Sequence, residues 1–161
     1  MDWRIRHADF ADPRDTAGIV TILNSYASDP RGGSRPLPPD VQSRLIPVLR
    51  DHPTTLVLLA FDDEKPVGIA VCFFGVSTFR ARPLVNIHDL AVLPAYRGRG
   101  VGRALLGAVE DHARSRGCCK LTLEVQDDNT PARTLYQRFG FEDVVYGDSA
   151  ATRFLAKPLE D

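Results

Sequence analysis

The stretch from residue 85 to residue 116 constrains the fold most, because it joins an apolar strand to an amphipathic helix through a turn of glycine and arginine. Residues 85–92 predict a strand, and Pro94 ends it because proline cannot donate to a strand ladder. The turn reads Arg97-Gly98-Arg99-Gly100-Val101-Gly102, and a helix with one apolar face follows over residues 100–116. Glycine amides and a helix N-terminus attract anions, and Arg103 adds a further cation. The pattern predicts a pyrophosphate site.

Two common phosphate-binding motifs do not fit this turn. The dinucleotide fingerprint needs a third glycine at position 103, where this chain has Arg103. The P-loop needs Gly-Lys-Ser/Thr five residues after Gly98, which is also missing. A glycine turn that only packs the helix tightly against the strand is the structural alternative to a phosphate site.

The remaining elements follow from periodicity and capping residues. Asp12 followed by Pro13 predicts the start of a helix that runs to about residue 26, and Asp40 predicts the cap of a second helix that Pro47 kinks or splits. Gly140 predicts the end of a helix that starts at Thr130. The predicted strands are 3–6, 56–61, 67–74, 85–92 and 120–125, with a closing pair at 141–146 and 152–156. Helices among strands predict a mixed α/β fold.

Composition excludes several classes of protein. A chain of 161 residues suits one domain, here residues 1–161, and a net charge of -1 argues against a nucleic-acid surface. The apolar run 56–61 is too short for a membrane span, and the charged N-terminus does not resemble a signal peptide, so we expect a cytoplasmic protein. The cysteine spacing predicts no metal site. Arginine supplies 17 of the 20 basic residues, which codon bias, or bidentate binding of phosphate or carboxylate groups, would explain.

The motif at residues 97–102 resembles the R/Q-x-x-G-x-G/A motif of the GNAT superfamily of N-acetyltransferases. The resemblance is strong over residues 87–142 and continues in Leu123-Glu124-Val125, Asn129, Ala132, Leu135-Tyr136 and Gly140-Phe141. It implies one central, mostly antiparallel mixed sheet that splays between the fourth and fifth strands, with about four flanking helices. Dimers are frequent in similar proteins, so a homodimer is an open alternative.

The same resemblance implies acetyl-CoA as cosubstrate and assigns residues to it. The pyrophosphate would lie on the segment Arg97, Gly98, Arg99, Gly100, Val101, Gly102 and Arg103. The pantetheine arm would pair with the main chain of Leu90, Ala91 and Val92, where an N–H near Leu90 or Ala91 would polarise the thioester carbonyl. Asn129 would either hydrogen-bond the pantetheine or shape the turn before the last helix.

The resemblance also implies two catalytic roles. Tyr136 would donate a proton to the departing thiolate, although an aromatic packing role is the alternative. Some family members have a glutamate base near the position of Asn86, and asparagine cannot act as a base. His88 is therefore our candidate base, with Asp89, Glu124 or a water chain as alternatives. Strand alternation predicts that Asn86 and His88 share one face and that Asp89 lies on the other.

The function implied is transfer of an acetyl group to a primary amine by direct attack in a ternary complex. A non-catalytic acyl-CoA-binding sensor is the alternative, and a longer acyl-CoA or a hydroxyl acceptor is a third interpretation. The acceptor is a small molecule or a peptide or protein amine. Family resemblance places its pocket at residues 29–40, 75–83 and 146–151, where arginines at positions 31, 35, 80 and 82 would either contact substrate or remain solvated.

Overall fold

The central sheet has five strands in the order β1-β2-β3-β4-β5. The computed structural model describes residues 3–146 and 150–159. The strands are β1 (Arg4–His7), β2 (Thr55–Asp62), β3 (Lys65–Ser77), β4 (Arg82–Val92) and β5 (Leu121–Leu123). Neighbours from β1 to β4 are antiparallel, whereas β4 and β5 are parallel. The predicted mixed, mostly antiparallel sheet is confirmed.

Four helices cover the two faces of this sheet: α1 (Pro13–Ser28), α2 (Pro39–Asp51), α3 (Val101–Ser115) and α4 (Thr130–Phe139). Helices α1 and α2 bury apolar side chains such as Ile19 and Leu49 against one face, next to Val71 of β3. Helix α3 buries Leu105 and Val109 against the other face. No helix in the described part of the chain combines the length and the apolar character that a membrane crossing requires.

The helix starts test the capping predictions. The Asp12 side chain accepts a hydrogen bond from the Arg14 N–H, and Pro13 is the first residue of α1, so that prediction is confirmed. The predicted Asp40 cap is wrong, because Pro38 is the N-cap and α2 begins at Pro39, where proline suits the first helical position. Pro47 lies inside an unbroken α2 on its exposed side, where water can replace the hydrogen bond that proline cannot donate.

The C-terminal strands differ from their predicted bounds. Strand β6 (Val145–Tyr146) pairs antiparallel with β7 (Ala150–Ala151) in a separate two-stranded sheet. The prediction of a closing pair is confirmed, but residues 141–144 and 152–156 are not strand. Instead, the Phe141 N–H donates to the Tyr136 carbonyl at 2.9 Å, which ties this segment to the end of α4. Residues 147–149, part of the predicted acceptor segment, lie outside the described residues.

The fourth and fifth strands separate where the site forms. Their pairing covers only Val85 with Leu121, Asn86 with Thr122 and Ile87 with Leu123. Strand β4 then continues to Val92, whereas β5 ends at Leu123. The predicted splay is confirmed, and residues 88–92 of β4 form an edge that β5 does not cover.

Candidate functional site

A β-bulge at His88 shapes the splayed end of β4. Val71 of β3 pairs with Asp89 and Cys72 pairs with Ile87, so His88 is an extra residue without an opposite partner. The insertion reverses the alternation of the strand. Before the bulge the odd-numbered Val85 and Ile87 belong to the core under α3, and after it the even-numbered Leu90 and Val92 pack there.

The bulge overturns the prediction that Asp89 lies on the opposite face from His88. Asp89 pairs with Val71, which belongs to the core under α1 and α2. The His88 ring lies 5.6 Å from the ring of Phe73, which packs on the same core. Alternation failed here because it assumes an uninterrupted ladder, and the two residues of a bulge both turn toward one face.

Asp89 is an acidic group placed in a mostly buried setting. Burial raises the pKa of its carboxyl group, and the neighbouring His88 only partly opposes that shift. Burial also raises the pKa of Tyr26 on α1, with smaller contributions from the negative charges of Asp89 and Asp29. Both groups therefore favour their neutral forms more than exposed groups do.

The exposed edge of β4 presents main-chain groups. The Leu93 N–H donates to the Val67 carbonyl of β3 at 2.9 Å. Peptide groups of an antiparallel strand point alternately to its two sides, so those of Leu90 and Val92 point away from β3. The Val92 carbonyl accepts a hydrogen bond from Arg97 Nε at 3.1 Å. The N–H and C=O of Leu90 remain on the edge beyond the end of β5.

The glycine turn forms a cluster of amide donors. Gly98 and Gly100 have φ angles of +73° and +86°, which glycine adopts without strain. Gly100 is the N-cap of α3, and its carbonyl accepts the first helical bond, from Ala104 at 3.0 Å. Among the residues that the structure describes, none accepts a hydrogen bond from the N–H groups of residues 98–103. Together with the helix dipole, these amides suit an anion with two phosphate groups.

A cavity of about 720 Å³ lies between the turn, the edge of β4 and helix α4. This volume is in the range that ligand pockets occupy. The structure brings most of the predicted site residues to its lining, namely Leu90, Ala91, Val92, Arg97, Gly98, Gly100, Val101, Gly102, Arg103, Asn129 and Tyr136.

Two predicted site residues do not line this cavity. The Arg99 carbonyl accepts a hydrogen bond from Trp3 Nε1 at 3.0 Å, and its guanidinium lies 5.6 Å from the centre of the Tyr96 ring. His88 is exposed at the bulge beside Phe73. Arg99 therefore stands on the outer side of the turn, and His88 stands outside the cavity lining.

Tyr136 lies half-buried on α4, with its ring edge-on to Phe141 at 5.8 Å. Burial, with a smaller contribution from Tyr26, raises the pKa of the Tyr136 phenol to about 12. The phenol therefore carries its proton at neutral pH and can donate it. Asn129 accepts a hydrogen bond from the Ala132 N–H at 3.3 Å and so caps α4, while it also lines the cavity.

The sequence reasoning placed residues 29–40 in an acceptor pocket but did not predict the ion pairs at this cavity, and it assigned no site role to Tyr26 or Arg138. Asp29 at the end of α1 holds Arg97, with Oδ2 and Nη1 2.8 Å apart, and Arg31 holds Asp128 at 2.7 Å. Tyr26 and Arg138 also line the cavity. These contacts join segments that are far apart in sequence, so local patterns do not reveal them.

Comparisons with known proteins agree with this geometry. The model of the acetyltransferase (GNAT) family matches residues 19–141. The uncharacterized N-acetyltransferase YhfO of Bacillus subtilis (strain 168) is 29% identical over 83% of this chain and 87% of its own length. A solved structure of a proposed acetyltransferase from Arthrobacter sp. FB24 is 28% identical, with a TM-score of 0.77 over 97% of this chain and 96% of its own.

A third relative matches over a shorter stretch. The thialysine N-epsilon-acetyltransferase of Bos taurus is 36% identical over 48% of this chain. That match spans 45% of the bovine protein, so this similarity concerns less than half of either chain.

Proposed function

Because the chain belongs to the GNAT family of acetyltransferases, we propose that it transfers the acetyl group of acetyl-CoA to a primary amine by direct attack in a ternary complex. One observation carries this proposal: a single cavity is lined by Gly98 and Gly100 of the glycine turn, by the exposed edge of β4 and by Tyr136, whose phenol is protonated at neutral pH. Membership of an acyltransferase family favours an enzyme over a non-catalytic sensor. We further propose that residues 1–161 form one catalytic domain.

The chemistry of the cavity fits acetyl-CoA. Its pyrophosphate would accept hydrogen bonds from the amides of residues 98–103, and a side chain at Gly98 or Gly100 would occupy space that is open in the structure. The pantetheine amides would pair with the Leu90 carbonyl and the Val92 N–H, as an added strand would. Arg97, which Asp29 and the Val92 carbonyl already engage, would hold the turn in shape.

The donor carbonyl would be activated by the main chain. The alternation of the ladder turns the Ala91 N–H toward β3 and the Leu90 N–H toward the cavity. We therefore assign to Leu90 the N–H that hydrogen-bonds the thioester oxygen and stabilises its negative charge during attack.

Bond changes in the reaction follow from these positions. The lone pair of the neutral amine attacks the thioester carbon, a C–N bond forms, and the carbonyl oxygen takes the charge. When the intermediate collapses, the C–S bond breaks and the sulfur receives the proton of the Tyr136 phenol. The proton that the attack leaves on the nitrogen is released through water and restores the phenol. Acetylated amine and free CoA thiol are the products.

Before it attacks, the protonated amine must lose a proton to become neutral. We propose that His88 accepts this proton through water, because His88 is exposed at the bulge and lies only two residues before Leu90 in β4. Asp89, Glu124 and a water chain are the alternatives. The pH dependence of kcat/KM separates them, because replacing His88 by alanine changes the acidic limb of the profile only if His88 is the base. An unaltered profile would remove His88 from the mechanism.

The acceptor test uses matched amines and alcohols. Purified protein with acetyl-CoA is incubated with pairs of compounds that differ only in an amino or a hydroxyl group, including lysine-like amines because of the bovine relative's name. We expect acetylated amine in mass spectra and an equal amount of free thiol. Acetylation of alcohols alone, or transfer only from a longer acyl-CoA, would contradict the proposal.

A further inference from the structure

Four arginines line the cavity, and they differ in how their charges are neutralised. Arg97 is paired with Asp29 at 2.8 Å and Arg31 with Asp128 at 2.7 Å. Arg103 and Arg138 also line the cavity, but within residues 3–146 and 150–159 neither forms an ion pair or a side-chain hydrogen bond. These two are the cavity arginines whose charge is available to a ligand.

The two available arginines lie on helices that touch each other. A Cβ placed at Gly102 of α3 would lie 3.2 Å from Leu135 Cδ2 of α4, so the helices cross at this point. Arg103 follows Gly102 directly. Arg138 lies three residues after Leu135, and residues with that spacing are neighbours on a helix surface. Arg103 and Arg138 therefore lie on either side of this helix contact, and both line the same cavity.

The arginine pair is separate from the amide cluster. The amides of residues 98–103 are neutral donors that suit the pyrophosphate, whose charge the dipole of α3 also favours. Two guanidinium ions on adjoining helices repel each other unless an anion lies between them. A phosphate monoester suits them best, because it carries nearly two negative charges at pH 7 and accepts paired hydrogen bonds from arginine.

We propose that Arg103 and Arg138 together bind the 3′-phosphate of CoA, so that the enzyme selects donors that carry this group. The inference rests on the proposed function, which makes acetyl-CoA the donor. The remaining anionic group of CoA after the pyrophosphate is this monoester, and its charge matches the pair. Recognition of the donor is then divided between main-chain amides for the pyrophosphate and side chains for the 3′-phosphate.

The test compares two donors that differ only in this phosphate. KM is measured for acetyl-CoA and for acetyl-3′-dephospho-CoA with the wild-type protein, and we expect a preference of about tenfold or more for acetyl-CoA, as expected for charge-assisted hydrogen bonds. Arg103→Met and Arg138→Met should each lower this preference, and the double variant should bring it close to one. Methionine keeps an unbranched apolar stem and removes the guanidinium group with its charge and its hydrogen-bond donors.

Arg133 on α4 provides a matched control. Its Nη1 donates to the Asp127 carbonyl at 3.1 Å, and it is not among the residues that line the cavity. Arg133→Met removes the same charge from the same helix and should leave the donor preference as in wild type. An equal fall in preference in this variant would show that net charge, not the site, selects the donor, and would overturn the proposal.

Two further results would contradict the assignment. A wild-type protein that does not distinguish the donors has no 3′-phosphate site. Variants that raise KM for both donors by the same factor would indicate that the arginines bind the pyrophosphate instead. Calorimetric binding of CoA and 3′-dephospho-CoA gives the same comparison without turnover. A preference in binding without acetyl transfer would therefore refute the proposed function and leave this inference standing.

Discussion

Arg97 and Asp29 form an ion pair across the mouth of the cavity, with Arg97 Nη1 2.8 Å from Asp29 Oδ2. The N–H of Arg31 and the guanidinium of Arg97 together hold the pKa of the Asp29 carboxyl below its usual range. The arginine that begins the glycine turn is thus engaged by the end of α1 and by the Val92 carbonyl. Its role in this structure is to fix the turn relative to α1 and β4.

Removing either partner of this pair should weaken acetyl-CoA binding. We expect Asp29→Asn and Arg97→Met each to raise KM for acetyl-CoA by up to about fivefold, the range of a partly exposed ion pair. The double variant should be little worse than either single one, because both lose the same interaction. Steady-state kinetics over a range of acetyl-CoA concentrations measures all three.

The direction in which Asp29→Asn changes KM for acetyl-CoA distinguishes the two possible roles of Arg97. If Arg97 binds a phosphate directly, removal of its competing carboxylate frees the guanidinium and lowers KM. A lower KM in Asp29→Asn, with a large rise in Arg97→Met, would contradict the holding role.

Tyr136→Phe should lower kcat and change KM little. General acid catalysis contributes about a hundredfold or more, and phenylalanine keeps the aromatic packing against Phe141 while it removes the proton. No hydrogen bond to another described residue contributes to the pKa of this phenol, so the fold should be unaffected. Thermal melting checks the fold, and thiol release checks turnover. Unchanged kcat would leave Tyr136 with only a packing role.

The raised pKa of Tyr136 also constrains the pH dependence. With a pKa of about 12, the phenol stays protonated through the range in which the enzyme can be assayed. Any decline of kcat between pH 8 and about 10 therefore arises from another group. We expect the decline to persist in the residual activity of Tyr136→Phe, and its disappearance there would show that Tyr136 ionises well below pH 12.

Asp89 should make the fold less stable as its carboxyl ionises. Burial raises its pKa in the folded protein, so the native state binds the proton more tightly than the unfolded chain does. The stability associated with this group is present below the unfolded pKa of about 3.9 and is lost as pH rises through the higher folded value. We expect Asp89→Asn to gain stability over wild type at pH 7 and to lose that advantage near pH 3.5.

Asp51 supplies the control for this experiment. Its pKa is lowered, chiefly by the side-chain hydrogen bond from Arg50, so Asp51→Asn should change stability in the opposite direction at pH 7. Urea unfolding at both pH values measures the two variants. If the difference in unfolding free energy between Asp89→Asn and wild type is the same at pH 3.5 and pH 7, the carboxyl is not buried as the structure places it.

The sequence predicted those parts of the site that depend on local chemistry. Asp12 with Pro13 determines the start of α1, and Gly140, with a φ of +99°, ends α4. The alternation of glycine and arginine between a strand and a helix predicted the turn, because glycine permits a close approach of the main chain to an anion and the start of a helix leaves its first amides without helical partners.

Other parts depend on tertiary pairing that no local pattern carries. The bulge arises because β4 has one residue, His88, between the partners of Val71 and Cys72, which are adjacent in β3. The amino-acid sequence around His88 does not indicate this bulge. The Asp29–Arg97 pair joins residues 68 positions apart. Which of the cavity arginines form ion pairs also depends on tertiary contacts, so the sequence could not single out Arg103 and Arg138.

Amine-dependent release of CoA thiol by wild type, Gly100→Glu and Gly107→Glu tests whether the glycine turn binds acetyl-CoA for acetyl transfer. Glutamate at Gly100 places a negative charge over the amide cluster at a φ of +86°, whereas Gly107 lies on α3 with open space around it and does not line the cavity. We predict thiol release by wild type and Gly107→Glu, and its loss in a folded Gly100→Glu. Equal thiol release by all three proteins would contradict the account.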